Sequence, residues 1–121
     1  MKLRFRGNSL RLRLNRREVE SFAAGVELRE QVVFPGAERL EYALDTSSES
    51  GNAIFQTGEI RVSVPQQQAA GWARGAEIGM YFELPANGCV LKVAIEKDLE
   101  CVDGAPEEKD PHAFPRPAKD C

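Results

Sequence analysis

LRLRLNRREVESFAAGVELREQVVF, residues 10–34, has a counterpart fifty residues further on in IRVSVPQQQAAGWARGAEIGMYFEL, residues 60–84. Identities between the two are few: Arg11 meets Arg61, Ala23 meets Ala73, Gly25 meets Gly75 and Glu27 meets Glu77. The physical pattern, however, agrees nearly throughout. Leu10, Leu12 and Leu14 match Ile60, Val62 and Val64, the period-2 face of a strand. Val19, Phe22, Ala23 and Val26 match Ala69, Trp72, Ala73 and Ala76 at i, i+3, i+4 and i+7, one stripe of a helix. The correspondence reaches outward on both sides. Phe5 falls on Phe55, and Leu40, Tyr42 and Leu44 fall on Leu91, Val93 and Ile95 after a one-residue slip.

Each half therefore reads strand, strand, helix, strand, strand. Local punctuation agrees. Asn15 with Glu18 three residues on forms a capping box, Pro65 stands where a first helical turn tolerates it, and Gly25 and Gly75 follow the helices as C-terminal caps. Turns are predicted at Gly7-Asn8, Pro35-Gly36, Thr57-Gly58 and Asn87-Gly88. The predicted fold is α+β, with two ββαββ repeats over about 2–45 and 52–97 forming a pseudo-twofold antiparallel-sheet domain. Its two helices cover one face of the sheet, and an irregular C-terminal tail follows. In domain terms, 1–121 is a single internally duplicated domain: first repeat 1–46, joint 47–51, second repeat 52–98, and an acidic, Pro-rich tail 99–121.

Length and composition bound the class. At 121 residues and 42% apolar content the chain is one domain's worth with enough apolar material for a core, so it needs no disulfide or metal staple. The net charge of −3 argues against a general nucleic-acid binder. That charge is nonetheless unevenly spread: Lys2, Arg4, Arg6, Arg11, Arg13, Arg16 and Arg17 all precede the first acid, Glu18, whereas acids dominate from Glu96 onward. Three cysteines, Cys89, Cys101 and Cys121, lack disulfide-framework spacing and point to a reducing, cytoplasmic location. MKLRFR has no apolar core for a signal peptide, and no stretch approaches 18 apolar residues.

The N-terminal stretch KLRFRGNSLRLRL poses the sharpest electrostatic question. Folded about Gly7-Asn8, it sets Phe5 opposite Leu10 and Leu3 opposite Leu12 on one face, with Arg4 opposite Arg11 and Lys2 opposite Arg13 on the other. Opposed like charges destabilise a strand pair by tenths of a kcal/mol. An acidic neighbour, an external anion or solvation must relieve them, and the acidic tail is the expected neighbour. Lys2, Arg4, Arg6, Arg11 and Arg13 are thus the candidate binding face.

Glu96, Asp98, Cys101, Asp110, His112 and Cys121 bring metal-ligating types into one span, and Asp98, Cys101 and His112 are the candidates for an ion. Their spacing matches no established site, for C-x-x-C and H-x-x-x-H are both absent, so no cofactor is predicted. Cys101 with His112 as base lies on a segment too irregular for catalytic geometry. Phe114 is the large apolar side chain of the tail and the residue expected to pin it to the domain.

With MKLRFRGNSLRLRL at one end and VAIEKDLECVDG followed by DPHAFPRP at the other, the chain resembles a family of small uncharacterised bacterial proteins, a domain of unknown function. Its members open with a similar arginine-alternating hairpin and close with EKD-x-x-C, then acids and an Asp-x-Phe-Pro-x-Pro segment. The resemblance covers essentially the whole length and implies no activity. It singles out Glu96, Lys97, Asp98, Cys101, Asp110 and Phe114, while His112 falls at a variable place of the pattern and FPRP replaces an expected FPNP. Counted from Leu10, the element order is also similar to the paired βαβββ modules of vicinal oxygen chelate proteins. Those place metal ligands, often His and Glu, in a cup between modules; here a cup would rest on Glu41, Tyr42, Glu83 and Glu96.

The function expected from all this is a non-catalytic binding or interaction module, with a basic hairpin face and an acidic tail. Its partner would be another protein or a small anion, with no membrane involved, and a monomer is the expected state because a duplicated domain already holds its twofold internally. The alternatives are a metal-dependent small-molecule binder or enzyme between the repeats, and a weak nucleic-acid binder.

Overall fold

The computed structural model describes residues 1–99 together with His112 and Phe114. The elements run β1 (Lys2–Phe5), β2 (Ser9–Leu14), α1 (Arg16–Ala23), β3 (Leu28–Val33), β4 (Arg39–Asp45), β5 (Ser47–Gln56), β6 (Glu59–Pro65), α2 (Gln66–Arg74), β7 (Gly79–Ala86) and β8 (Cys89–Lys97). The fold is α+β, with two four-stranded sheets ordered β1-β2-β8-β7 and β3-β4-β6-β5.

Local chemistry explains the elements. The first hairpin has the register read from the sequence: Lys2 opposite Arg13, Leu3 opposite Leu12, Arg4 opposite Arg11 and Phe5 opposite Leu10. Of its turn pair only Gly7 takes a positive φ, 57°. Thr57-Gly58 and Asn87-Gly88 place both residues at positive φ, the two-residue turn that matches strand twist. The capping box forms as expected: Asn15 Oδ1 accepts from the Glu18 amide and Glu18 Oε1 accepts from the Asn15 amide. Helix α1 ends in a Schellman motif, with Gly25 N–H donating to Phe22 O and Val26 N–H to Ser21 O, which Gly25 permits at φ 91°.

Four expectations are corrected. The sheets are mixed, not antiparallel: β2 lies parallel to β8 and β4 parallel to β6 at the centre of each sheet. The helices do not lie on one face of a single sheet; α1 carries the chain from β2 in one sheet to β3 in the other, and α2 carries it back from β6 to β7. Gly75 caps α2 as expected, in extended backbone at φ −86°, but Val26 and Ala76, expected on the helix stripes, fall beyond the helix ends and are exposed. Residues 47–51, expected as a polar joint, are extended and belong to β5, whose register with β6 slips between Ser47 and Asn52.

One core results. Leu10, Leu12 and Leu14 of β2, Val93 and Ile95 of β8, Leu44 of β4 and Ile60, Val62 and Val64 of β6 pack with Val19, Phe22, Ala69 and Trp72 of the helices. Phe22 is fully buried and meets Trp72 edge to face at 6.2 Å between centroids. The two sheets also meet at their margins. Tyr42 hydroxyl donates to Met1 O at 3.0 Å, and the Met1 ammonium pairs with Glu18 and, at 2.6 Å, with Glu30. On the other side Gly51 of β5 lies under the Phe82 ring of β7, where a Cβ would sit 2.8 Å from ring carbons.

Gly51→Ala is therefore expected to destabilise the protein by about 1–3 kcal/mol through overpacking, and adding Phe82→Leu should restore most of it; chemical denaturation checks both. Because every sheet draws one hairpin from each half, fragments 1–46 and 47–121 should each lack a cooperative unfolding transition and regain one on mixing, as isolated hairpins are marginal in water.

Candidate functional site

Directly opposed residues share a face of a sheet, so the registers lay out the outer face of β1-β2-β8-β7 row by row. Lys2, Arg13, Glu96 and Gly79 form one row, Arg4, Arg11, Ala94 and Tyr81 the next, and Ser9, Lys92 and Glu83 a third. The opposed cations of the hairpin are answered from strand β8 and the residue that follows it. Glu96 Oε1 lies 3.2 Å from Arg11 Nε and 3.6 Å from Arg13 Nε, and Asp98 Oδ2 lies 2.8 Å from Lys2 Nζ. Asp98 is placed there by its backbone, whose N–H donates to Leu14 O at 2.8 Å.

The other Glu96 oxygen accepts from the Tyr81 hydroxyl at 2.8 Å. Tyr81 reaches it only because residue 79 is glycine, since a Cβ there would stand 2.6 Å from the Tyr81 oxygen. Laid along the strand in this way, Tyr81 walls a groove of about 430 Å³. Half-buried Ala94 lies between Arg11 and Tyr81 in that groove, and Ser9, Lys92 and Glu83 line it further along. Arg4, Arg6 and Lys92 are exposed, and among the described residues none of the three is in an ion pair.

The outer face of the second sheet is closed by its own charges. Arg61 Nη1 lies 2.5 Å from Asp45 Oδ2 and 2.5 Å from Glu27 Oε1, and its Nε lies 3.2 Å from Glu59 Oε1. Arg29 adds contacts to Glu59 at 2.7 Å and to Glu27 and Glu41 at 3.3 Å. Burial of Asp45 favours its neutral form, but the amide and hydroxyl of Ser47, the Ser63 hydroxyl and Arg61 outweigh it and hold the carboxyl down at about 2. Hydrogen bonds from Arg61 and Arg29 likewise lower Glu27 and Glu59 respectively, and the carboxylates raise both guanidiniums.

The residues singled out from sequence separate into distinct roles. Lys2, Arg11, Arg13, Glu96 and Asp98 come together on one face, as does Arg4. Lys97 points elsewhere: its Nζ donates to Gly75 O at 2.9 Å and sits 5.5 Å from the Trp72 ring centroid, fastening α2 to β8. The cup does not assemble. Glu41 is tied to Arg29 on the outer face of the second sheet, Tyr42 packs against the core, and Glu83 and Glu96 lie on the outer face of the first. Among the described residues no group of three His, Cys, Asp or Glu could hold a metal. Cys101 and Asp110 lie outside the described residues; His112 is exposed, and Phe114 is 93% exposed and so pins nothing to the domain.

Sequence reasoning passed over Tyr81, Ser9, Lys92 and Ala94 as a group, and the Asp45–Arg61 network. Period-2 alternation in β8 does place Lys92, Ala94 and Glu96 on one outward face. What it lacks is the parallel neighbour β2, which is more than seventy residues away in the chain. Residues 1–118, nearly the whole chain, match the model of the Family of unknown function (DUF7009). No curated protein and no solved structure matches it.

Because its folded-state carboxyl titrates at about 2 instead of the ordinary 3.8, Asp45 contributes stability that is complete above the ordinary value and is lost as pH falls through the folded one. Glu27 and Glu59 act with the same sign. The thermal midpoint should therefore fall between about pH 4 and pH 2. Asp45→Asn should remove about 2 kcal/mol at neutral pH and flatten that acid limb, as thermal unfolding followed across pH will show.

Proposed function

We propose that this chain, which belongs to that family of unknown function, is a non-catalytic interaction module that presents the outer face of its first sheet to acidic groups. The observation that carries the proposal is that acids from the end of the described chain already sit on this face, Glu96 between Arg11 and Arg13, and Asp98 on Lys2. Arg4 and Arg6 extend the basic surface beyond those pairs. The tail that begins beside Lys2 carries Glu100, Asp103, Glu107, Glu108, Asp110 and Asp120. It is the natural intramolecular competitor for an acidic segment of a partner protein or a small anion.

Internal duplication is part of the same proposal. Exchanging β1, β2, β7 and β8 for β5, β6, β3 and β4 turns the strand order of one sheet into that of the other. The central registers agree as well: Leu10 lies opposite Val93 as Ile60 lies opposite Tyr42, and Leu12 opposite Ile95 as Val62 opposite Leu44. A chain holding this twofold within itself is expected to be monomeric, and the three cysteines fit a reducing bacterial cytoplasm. The reading as a metal-dependent binder between the repeats gains nothing from Glu41, Tyr42, Glu83 and Glu96, which stand on different faces.

The test compares elution from heparin of the native chain and of a variant with Glu100, Asp103, Glu107, Glu108 and Asp110 changed to their amides. The variant should elute at higher salt, and adding Arg4→Ala and Arg11→Ala should reverse the gain. Equal elution of native and variant chains sinks the competitor role of the tail. Binding to a DNA duplex with a steep salt dependence would instead turn the proposal toward nucleic acid.

A further inference from the structure

The outer faces of the two sheets share a pattern along their central parallel pairs, an arginine-alanine row with an acid one row away, and differ in charge in the rows on either side. In the second sheet the rows are Asp45 beside Ser63, Ala43 beside Arg61 and Glu41 beside Glu59. In the first they are Glu96 beside Arg13, Ala94 beside Arg11 and Lys92 beside Ser9. Both sheets thus set an arginine next to an alanine and an acid one row away, and in both the arginine pairs with that acid. Two rows differ: Arg13 stands in the first sheet where Ser63 stands in the second, and the third row holds two carboxylates in the second sheet and an ammonium with a hydroxyl in the first.

In the second sheet those carboxylates pair with Arg61 and Arg29. Glu59 bonds both Arg61 and Arg29, Glu41 bonds Arg29, and Arg29 itself stands opposite Ala43. In the first sheet Tyr81 stands opposite Ala94 in place of that arginine and leans toward Glu96, leaving the groove. The second sheet shows what such a floor holds when it is filled, namely carboxylates one row from the arginine. The first sheet puts the Lys92 ammonium in that row, beside a Ser9 hydroxyl that donates to Arg6 O.

We propose that the groove over Ala94 is a seat for a carboxylate of an acidic peptide supplied by a partner protein. The carboxylate accepts from Lys92 Nζ and faces the Arg11 guanidinium, while the Tyr81 ring supports the peptide chain; the Ser9 hydroxyl beside Lys92 donates to Arg6 O at 2.5 Å. Glu83, opposite Lys92 on β7, sets a negative rim that favours peptide N–H groups on that side and so gives the ligand a direction. A volume of about 430 Å³ suits a short stretch of peptide and not a single ion. This inference rests on the interaction-module proposal and gives it an address and a ligand class.

The probe is a capped hexapeptide of alternating glycine and glutamate, with its glutamine counterpart as control, titrated at low salt into the isotopically labelled full chain and followed by amide chemical shifts. The expected shifts centre on Ser9, Lys92 and Ala94 and are absent with the glutamine peptide. Lys92→Glu, at an exposed position, should weaken binding by about tenfold or more, as loss of a charge-assisted hydrogen bond implies. Ala94→Leu should fill the groove and abolish binding with the thermal midpoint kept. Binding seen only after the tail acids are neutralised supports the seat and makes the tail its resting occupant. Shifts confined to Arg4 and Arg6 overturn the groove while leaving the basic face as the interaction surface, and equal affinity of Lys92→Glu overturns it too. No shift with either form of the chain overturns the seat, and heparin elution then decides separately whether the wider proposal stands.

Discussion

Parallel pairing at the centre of each sheet is the constraint from which the rest of the architecture follows. Two strands running the same way cannot be joined by a tight turn, so each parallel pair must be built from chain segments with a full excursion between them. Here β4 reaches β6 only by way of β5, and β2 reaches β8 only at the end of the domain. The hairpins β1-β2 and β7-β8 are local and close with short turns, but neither makes a sheet alone. Holding them together along β2 and β8 ties the first residues of the domain to the last and interlocks the two halves.

The helices take their place from the same constraint. A chain leaving the inner strand of one sheet has to cross to the other, and α1 and α2 are those crossings. Their apolar stripes are short, only Val19 and Phe22 on one and Ala69 and Trp72 on the other being buried. Two helices of eight and nine residues would not persist alone in water. They are held by packing on each other and by hydrogen bonds to the chain around them. Gln66 at the start of α2 donates from Nε2 to Ala23 O at 2.5 Å, and Thr46 donates to the Gln66 Oε1. Trp72 Nε1 donates to Ile78 O at 3.2 Å beneath the Lys97 ammonium.

With both inner faces committed to the core, chemistry is left to the outer faces, and there the sheets diverge through a few side chains. Lys2, Arg4, Arg11 and Arg13 can stand side by side because Glu96 and Asp98 reach three of them and solvent reaches Arg4. The second sheet supplies enough carboxylates to bond Arg29 and Arg61 repeatedly, and the donors around Asp45 keep it ionised against its burial. Such a network stabilises the face and occupies the Arg29 and Arg61 guanidiniums. The first sheet keeps the Lys92 ammonium of the corresponding row exposed and has a groove over Ala94.

Much of this was written locally in the sequence and some was not. The period of Leu10, Leu12 and Leu14, the capping box at Asn15 and Glu18, the glycine turns and the register of the first hairpin depend on residues a few positions apart, so side-chain alternation and backbone sterics determine them without reference to the rest of the chain. The likeness of residues 10–34 to 60–84 followed from the same patterns. Which strand lies beside which did not, because the alternation that marks a strand face is the same for a parallel and an antiparallel neighbour. The sequence alone therefore set the order of strands and helices, the turns and the opposed arginines, though not the start of β5 at Ser47 or the helix ends. Only the tertiary structure decided that β8 would lie against β2, that Glu96 would answer Arg11 and Arg13, and that Tyr81 over Gly79 would leave a groove at Ala94, since these contacts join residues some seventy to ninety positions apart or hang on which strand stands between them.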